Sequence, residues 1–220
     1  MTPASPRIIC FDLGGVVVRI CRTWKEACAQ AGVPDRDPER FGRPDLARAR
    51  KDAVELYQTG RITTREFWPL IAELTDGLYS PAEIERIHHA WIIEDYPGIA
   101  DVIDRLNSAE GILTACLSNT NDAHWAAMLG RGDGHSSPAV RKLRHLGASH
   151  IIGAAKPGPD IYRRALRAMS ARADEVLFFD DLAENIDAAR SLGWRAEQID
   201  PSGDTAEQVV RHCRSNGVAV

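Results

Sequence analysis

Residues 8–18, IICFDLGGVVV, set an apolar run in front of one acid, Asp12, and place Gly14 and Gly15 just behind it. A short continuous apolar run fits a strand buried on both faces, as in a parallel sheet, and Asp12 then stands at its carboxyl end. Ligands of such sheets bind beyond the carboxyl ends of the strands. Asp12 is therefore a candidate for chemistry, although taken alone it serves equally well as the cap of the turn that follows.

Working outward, the pattern changes to helical from about Cys21 to Trp91. TTREFWPLIAEL opens with a capping box, Thr63 with Glu66, and SPAEIERIHHAWI with another, Ser80 with Glu83, with Pro81 at the first helical position. Trp24, Cys28 and Ala31 mark an earlier helix, and DLARARKDAVELYQTG one that stops at Gly60. The expectation is an all-helical cap over residues 19–96 with no strand in it, inserted into a core formed by 1–18 and 97–220. Its joints with the core fall at Val18 to Cys21 and Glu94 to Pro97.

Beyond Pro97 strands and helices alternate. Ile99, Val102, Ile103 and Leu106 have the spacing of a buried helical stripe, and Ile112 to Leu117 reads as the second strand. HIIGAAKPGPDIYRRALRAM predicts a third short strand, a loop and a helix presenting Ile161, Ala165, Leu166 and Met169. EVLFFDD predicts a fourth strand, AENIDAARSLG a helix closed by Gly193, and WRAEQI a fifth strand. Right-handed crossovers then give an α/β fold with a doubly wound parallel sheet. GRGDGHSSP, 130–138, reads as a flexible loop.

Composition narrows the function classes. The 220 residues are 44% hydrophobic and 26% charged with a net charge of -4, and the lysines and arginines are scattered, so no nucleic-acid partner is expected. Five cysteines without a CxxC pair suit reduced thiols, and MTPASPR lacks the apolar core of a signal peptide. A cytoplasmic protein without a membrane partner, monomeric or homodimeric, is the expectation. The seven histidines show no HxH or HExxH spacing, so no zinc site is expected.

The polar strand ends are Asp12, Ser118-Asn119-Thr120, Lys156 and Asp180-Asp181. Each has a structural alternative. Ser118 to Thr120 could cap the helix of NDAHWAAML, Asp180-Asp181 the helix from Ala183, and Lys156 could lie on the surface. Their arrival together at one sheet edge favours chemistry, because they supply a nucleophile, donors, a cation and paired carboxylates for a hard metal.

FDLGGVVV, LSNT, KPGPDIY and FFDDLAENIDAARSLG resemble, in type, order and spacing, the four motifs of the haloacid dehalogenase-like hydrolase superfamily, with the insert in the place of its C1-type cap. LSNT and the DD followed by Asn185 are similar to the alpha-glucose-1-phosphatase branch of sugar phosphatases. The resemblance implies a Rossmann-like core and hydrolysis of a small phosphorylated metabolite such as a sugar phosphate. Asp12 would be the nucleophile that forms an aspartyl-phosphate, and Ser118, Asn119, Lys156 and Gly15 would hold phosphate. Asp12, the Gly14 carbonyl and Asp181 would bind Mg²⁺, with Asn185 and Asp180 supporting them.

Residue 14 departs from that pattern. Most phosphatases of the superfamily carry there a second aspartate that protonates the leaving oxygen, whereas the glucose-1-phosphatase branch also has glycine. General acid help is typically worth about 10²- to 10⁴-fold, so an easily departing leaving group is expected. Two other readings are a 2-haloacid dehalogenase, since halide needs no proton, and a module that binds a phosphorylated ligand without turnover. Arg36, Arg40, Arg43 and Arg61 are candidates for a second charged group on the ligand.

Overall fold

A five-stranded parallel sheet, flanked on both faces by helices, carries the molecule in a computed structural model that describes residues 5–220. Residues 1–4, which begin the MTPASPR segment and the first expected core segment, lie outside the described residues. In chain order the elements are β1 (Ile8–Phe11), β2 (Val18–Ile20), α1 (Trp24–Ala31), α2 (Pro38–Phe41), α3 (Pro44–Gln58), α4 (Thr64–Glu73), α5 (Pro81–His89) and β3 (Ile92–Asp95). They continue with α6 (Ile99–Ser108), β4 (Leu113–Ser118), α7 (Asp122–Met128), α8 (Pro138–Lys142), β5 (His145–Ala148), α9 (Ser149–Ile152) and α10 (Pro159–Met169). Last come β6 (Val176–Asp180), α11 (Ala183–Ser191), β7 (Arg195–Gln198) and α12 (Thr205–Ser215).

The strand order is β5-β4-β1-β6-β7. The chain builds outward from β1 to one edge and then returns to build the other, so the topological switch lies beside β1. Side chains of β1 alternate between the two faces. Ile9 and Phe11 join Val102, Ile103, Val209 and Cys213 of α6 and α12. Ile8 and Cys10 join Ile161, Tyr162 and Ile186 of α10 and α11. The stripe Ile99, Val102, Ile103 and Leu106 is buried as its spacing predicts. All five cysteines are buried and free.

Helices α1 to α5 gather around an apolar cluster of their own that includes Cys28, Tyr57, Phe67, Ile84 and Ile87. Both predicted capping boxes form: Thr63 and Ser80 accept from the backbone N–H of Glu66 and Glu83, whose side chains bond back. The region is not free of strands, however. β2 and β3 pair antiparallel where the helices join the sheet, because Val18-Arg19-Ile20 and Ile92-Ile93 are β-branched stretches lying side by side at the chain's exit and return.

The third strand also differs from expectation. It is His145–Ala148, and the HII segment expected to form it opens the helical turn α9 instead. Ile151 of that segment is 66% exposed, so its apolar character marks no buried strand. Gly147 hides the true strand, because a Cβ there would lie 2.7 Å from the Cys116 carbonyl oxygen across the sheet. Loop 130–138 is tied down: Ser137 N–H donates to the Met128 carbonyl at 3.0 Å, and His135 Nε2 lies 3.1 Å from Asp95 Oδ1. Among the described residues no helix is long and apolar enough to cross a membrane.

Ile103→Ala is expected to lower unfolding stability by about 3 kcal/mol through loss of buried hydrocarbon and the cavity left behind. Ser80→Ala should remove a cap worth about 1 kcal/mol. Urea titrations followed by far-UV circular dichroism measure both, and near-equal effects would contradict this packing.

Candidate active site

Register brings the acids together. Phe11 pairs with Phe179 across β1 and β6, so Asp12 and Asp180 leave neighbouring strands at the same level, and Asp12 N–H donates to the Phe179 carbonyl at 2.7 Å. Lys156 enters from the loop after α9. The Asn119 side chain clamps its backbone, accepting from Lys156 N–H and donating to its carbonyl, both at 2.8 Å. The result is a buried triad: Lys156 Nζ lies 2.9 Å from Asp12 Oδ1 and 2.6 Å from Asp180 Oδ2.

Asp180 is fully engaged by the protein. Its Oδ1 accepts from Leu182 N–H at 2.9 Å, and Asn185 Nδ2 donates to both of its oxygens at 3.0 and 3.1 Å. Carboxylate oxygens of Asp12, Asp180 and Asp181 lie within 4.8 Å of one another. Burial pushes Asp12 up to about 7; Lys156 pulls it down, while Asp180 and Asp181 add to the rise. Burial alone would lower the Lys156 ammonium, yet Asp12 and Asp180 hold it above the ordinary lysine value. Three crowded carboxylates whose mutual repulsion Lys156 relieves only in part fit a hard divalent cation such as Mg²⁺.

The glycines divide the space around Asp12. Gly15 has φ +87°, and a Cβ on it would come within 2.5 Å of Asp181 Oδ2. Its N–H closes the turn by donating to the Val18 carbonyl at 2.8 Å. What Gly15 gives the site is room beside Asp181. Gly14 lines the cavity next to the triad, and a Cβ on it would meet Ile20 Cδ1 at 3.0 Å.

A cavity of about 440 Å³ opens from Gly14, Ser118 and Asn119 and runs under α1, α3, α4 and α5. Ser118 is buried at the end of β4, and the cap of α7 is Asn121 rather than Ser118 to Thr120. None of Arg36, Arg40, Arg43 or Arg61 lines the cavity. The first three pair with Glu83, Asp76 and Asp45.

Several residues here carry no sequence signal. Arg22, just past β2, places Nη1 2.7 Å from Asp181 Oδ2. Arg50 and Lys51 of α3 line the cavity, as do His88 and His124. The two imidazoles meet with ring centroids 3.8 Å apart, where α5 crosses α7. His124 Nε2 donates to the His88 carbonyl at 2.8 Å, and its Nδ1 accepts from Asn121 Nδ2 at 3.2 Å. Burial lowers His88 well below the usual range and His124 to about 4.

A family model described as a haloacid dehalogenase-like hydrolase matches residues 6–193. The chain belongs to that family. Over 214 residues, 91% of the chain, this hydrolase is 26% identical to the D-ribitol-5-phosphate phosphatase of Bacteroides thetaiotaomicron and covers 95% of it. It is 43% identical to the phosphatase MT3486 of Mycobacterium tuberculosis over 70 residues, 32% of either chain, and so matches about a third of that relative's length. A haloacid dehalogenase family enzyme of B. thetaiotaomicron, bt-2542, solved with magnesium and inorganic phosphate, shares its fold with a TM-score of 0.73 at 21% identity. That superposition covers 92% of this hydrolase and 98% of bt-2542.

The imidazole pair predicts acid lability. A histidine held neutral in the fold contributes its full stability above its unfolded value of about 6.5 and loses it as pH falls toward about 4. Unfolding stability should drop by about 2 kcal/mol between pH 7 and 5 through His124 alone, and less in His124→Gln. Urea titrations at the two pH values test this, and an equal drop in both proteins would contradict it.

Proposed function

We propose that this hydrolase is a Mg²⁺-dependent phosphatase of a small phosphorylated metabolite, with Asp12 as the nucleophile. The observation that carries the reading is the buried Asp12–Lys156–Asp180 triad beside Asp181, next to Gly14 and Asn119, which line the cavity. A relative named as a phosphatase along most of the chain, and a fold neighbour solved with magnesium and phosphate, support it.

Each residue's part follows from charge. A phosphate dianion repels a carboxylate, so attack by Asp12 needs positive charge and donors on the phosphate oxygens. Lys156 supplies the fixed cation, and Asp180 with Asn185 hold its ammonium in place. The Ser118 hydroxyl and the Asn119 backbone N–H serve the oxygens from the end of β4. Asp12, Asp181 and the Gly14 carbonyl would hold Mg²⁺, which when bound neutralises oxyanion charge. Asp12 then carries the phosphoryl group as an aspartyl-phosphate, which water cleaves to regenerate the carboxylate. Residue 14, as glycine, offers no side-chain proton to the leaving oxygen. The cap, residues 19–96, would swing at the β2/β3 ribbon to admit substrate.

A panel of phosphorylated metabolites assayed for phosphate release is the test. Release should need Mg²⁺, stop with a chelator, and fall by about 10³-fold or more in Asp12→Asn. Halide release from a 2-haloacid that survives chelation would make carbon the electrophile instead. Tight phosphate binding without turnover of any panel member would leave a binding module.

A further inference from the structure

Hydrocarbon stands where a second acid would act. A Cβ on Gly14 would lie 3.0 Å from Ile20 Cδ1, so the space beside the nucleophile turn is filled by Ile20, which also lines the cavity. Farther in, the walls are Trp24, Phe41, Val54, Ile71 and Trp91. Trp24 and Phe41 stack with ring centroids 4.8 Å apart.

The polar side chains along these walls are mostly occupied. Arg50 donates to the Leu74 carbonyl at 2.7 Å and lies 3.9 Å from the Phe41 ring centroid. Tyr57 Oη pairs with Thr64 Oγ1 at 2.7 Å. Both ring nitrogens of His124 are engaged, by His88 and Asn121. His88 Nδ1 and Trp24 Nε1 are buried nitrogens without a hydrogen-bond partner, and Lys51 and Gln58 are the other polar side chains away from the phosphate end. A polyol here would give up water at each hydroxyl and find few partners. An apolar body carries no hydroxyls to desolvate.

Two demands therefore fall on one ligand: a hydrocarbon body, and an oxygen that departs without a proton from the protein. We propose that the substrate is a phosphate monoester of an aromatic hydroxyl, with its aryl group in the cavity; this rests on the phosphatase reading above. An aromatic hydroxyl ionises near pH 10, as in tyrosine, whereas water ionises at about 15.7 and simple alcohols nearby, so the aryloxide leaves far more readily. Asp12 Oδ bonds to phosphorus as the phosphorus–aryl oxygen bond breaks. The electron pair leaves on the aryl oxygen, which takes its proton from solvent afterwards. Water then attacks the phosphorus of the aspartyl-phosphate, loses a proton to solvent and frees the carboxylate.

Four phosphates separate body from leaving group: 1-naphthyl phosphate, 1-naphthylmethyl phosphate, acetyl phosphate and glucose 6-phosphate. With Mg²⁺ present, kcat/KM for 1-naphthyl phosphate should exceed both 1-naphthylmethyl and glucose 6-phosphate by about 100-fold or more. Gly14→Asp combined with Ile20→Ala should shrink the naphthyl-to-naphthylmethyl ratio by about 10-fold or more, since it returns an acid and the space for it. Val54→Gln, a change at a partly exposed position, should lower the naphthyl-to-acetyl ratio by about 10-fold. Calorimetry gives a readout free of turnover: 1-naphthylmethylphosphonate should bind about 10-fold more tightly than methylphosphonate. If acetyl phosphate is cleaved but 1-naphthyl phosphate does no better than glucose 6-phosphate, the inference fails and the phosphatase reading stands. Equal rates for the two naphthyl esters would also overturn it, and no phosphate release from any of the four would overturn both.

Discussion

The Lys156 ammonium, buried between Asp12 and Asp180, is the interaction on which the site depends. Its side chain is 1% exposed and that of Asp180 is fully buried. Removing ions like these from water costs several kcal/mol each, and attraction offsets that only where the geometry is good and the remaining lone pairs are satisfied. Here Asp180 accepts from Asn185 and the Leu182 N–H as well as from Lys156. Asp12 is the less engaged partner. The triad therefore fixes Asp180 firmly while leaving Asp12 the less constrained carboxylate.

Much of the surrounding structure reads as support for that geometry. Lys156 belongs to no strand, so its backbone must be held from outside, and the Asn119 amide does this with a paired donor and acceptor. Asn119 thus links the end of β4 to the loop after α9. Ser149 ties the same end further, accepting from Thr120 N–H and donating to the Thr120 carbonyl at 2.9 Å. Four separate strand ends become one rigid surface, and small misplacements at a reacting centre are costly. Three carboxylates around one ammonium leave excess negative charge in this cluster. Arg22 already answers part of that charge at Asp181.

The sequence made legible what is local or strongly patterned. Asp12 and Asp180 were readable because each ends a continuous apolar run, and both capping boxes because Thr63, Glu66, Ser80 and Glu83 act within single turns. β5 was missed because its middle residue is a glycine chosen for close approach to Cys116, which erases the apolar signal, while exposed Ile151 imitates one. The β2/β3 ribbon was missed because short strands are stabilised by a partner about 70 positions away. Arg22, Arg50 and the His88–His124 pair were invisible for a related reason. Their roles exist only after the helical insert has folded back over the sheet.

Gly14 shows how one turn can join two of these levels. Gly14 bridges to Val18, and the Gly15 N–H bonds to the Val18 carbonyl, so the turn after Asp12 runs straight into β2. Ile20, two residues later, fills the place that a side chain on residue 14 would take. β2 in turn pairs with β3 where the helical insert begins and ends. A side chain introduced at residue 14 would press first on Ile20 Cδ1, the end of a flexible side chain, which must give by a few tenths of an ångström. Residue 14 and Ile20 thus meet at the ribbon through which helices α1 to α5 join the sheet, so a change at either is felt where the two layers connect.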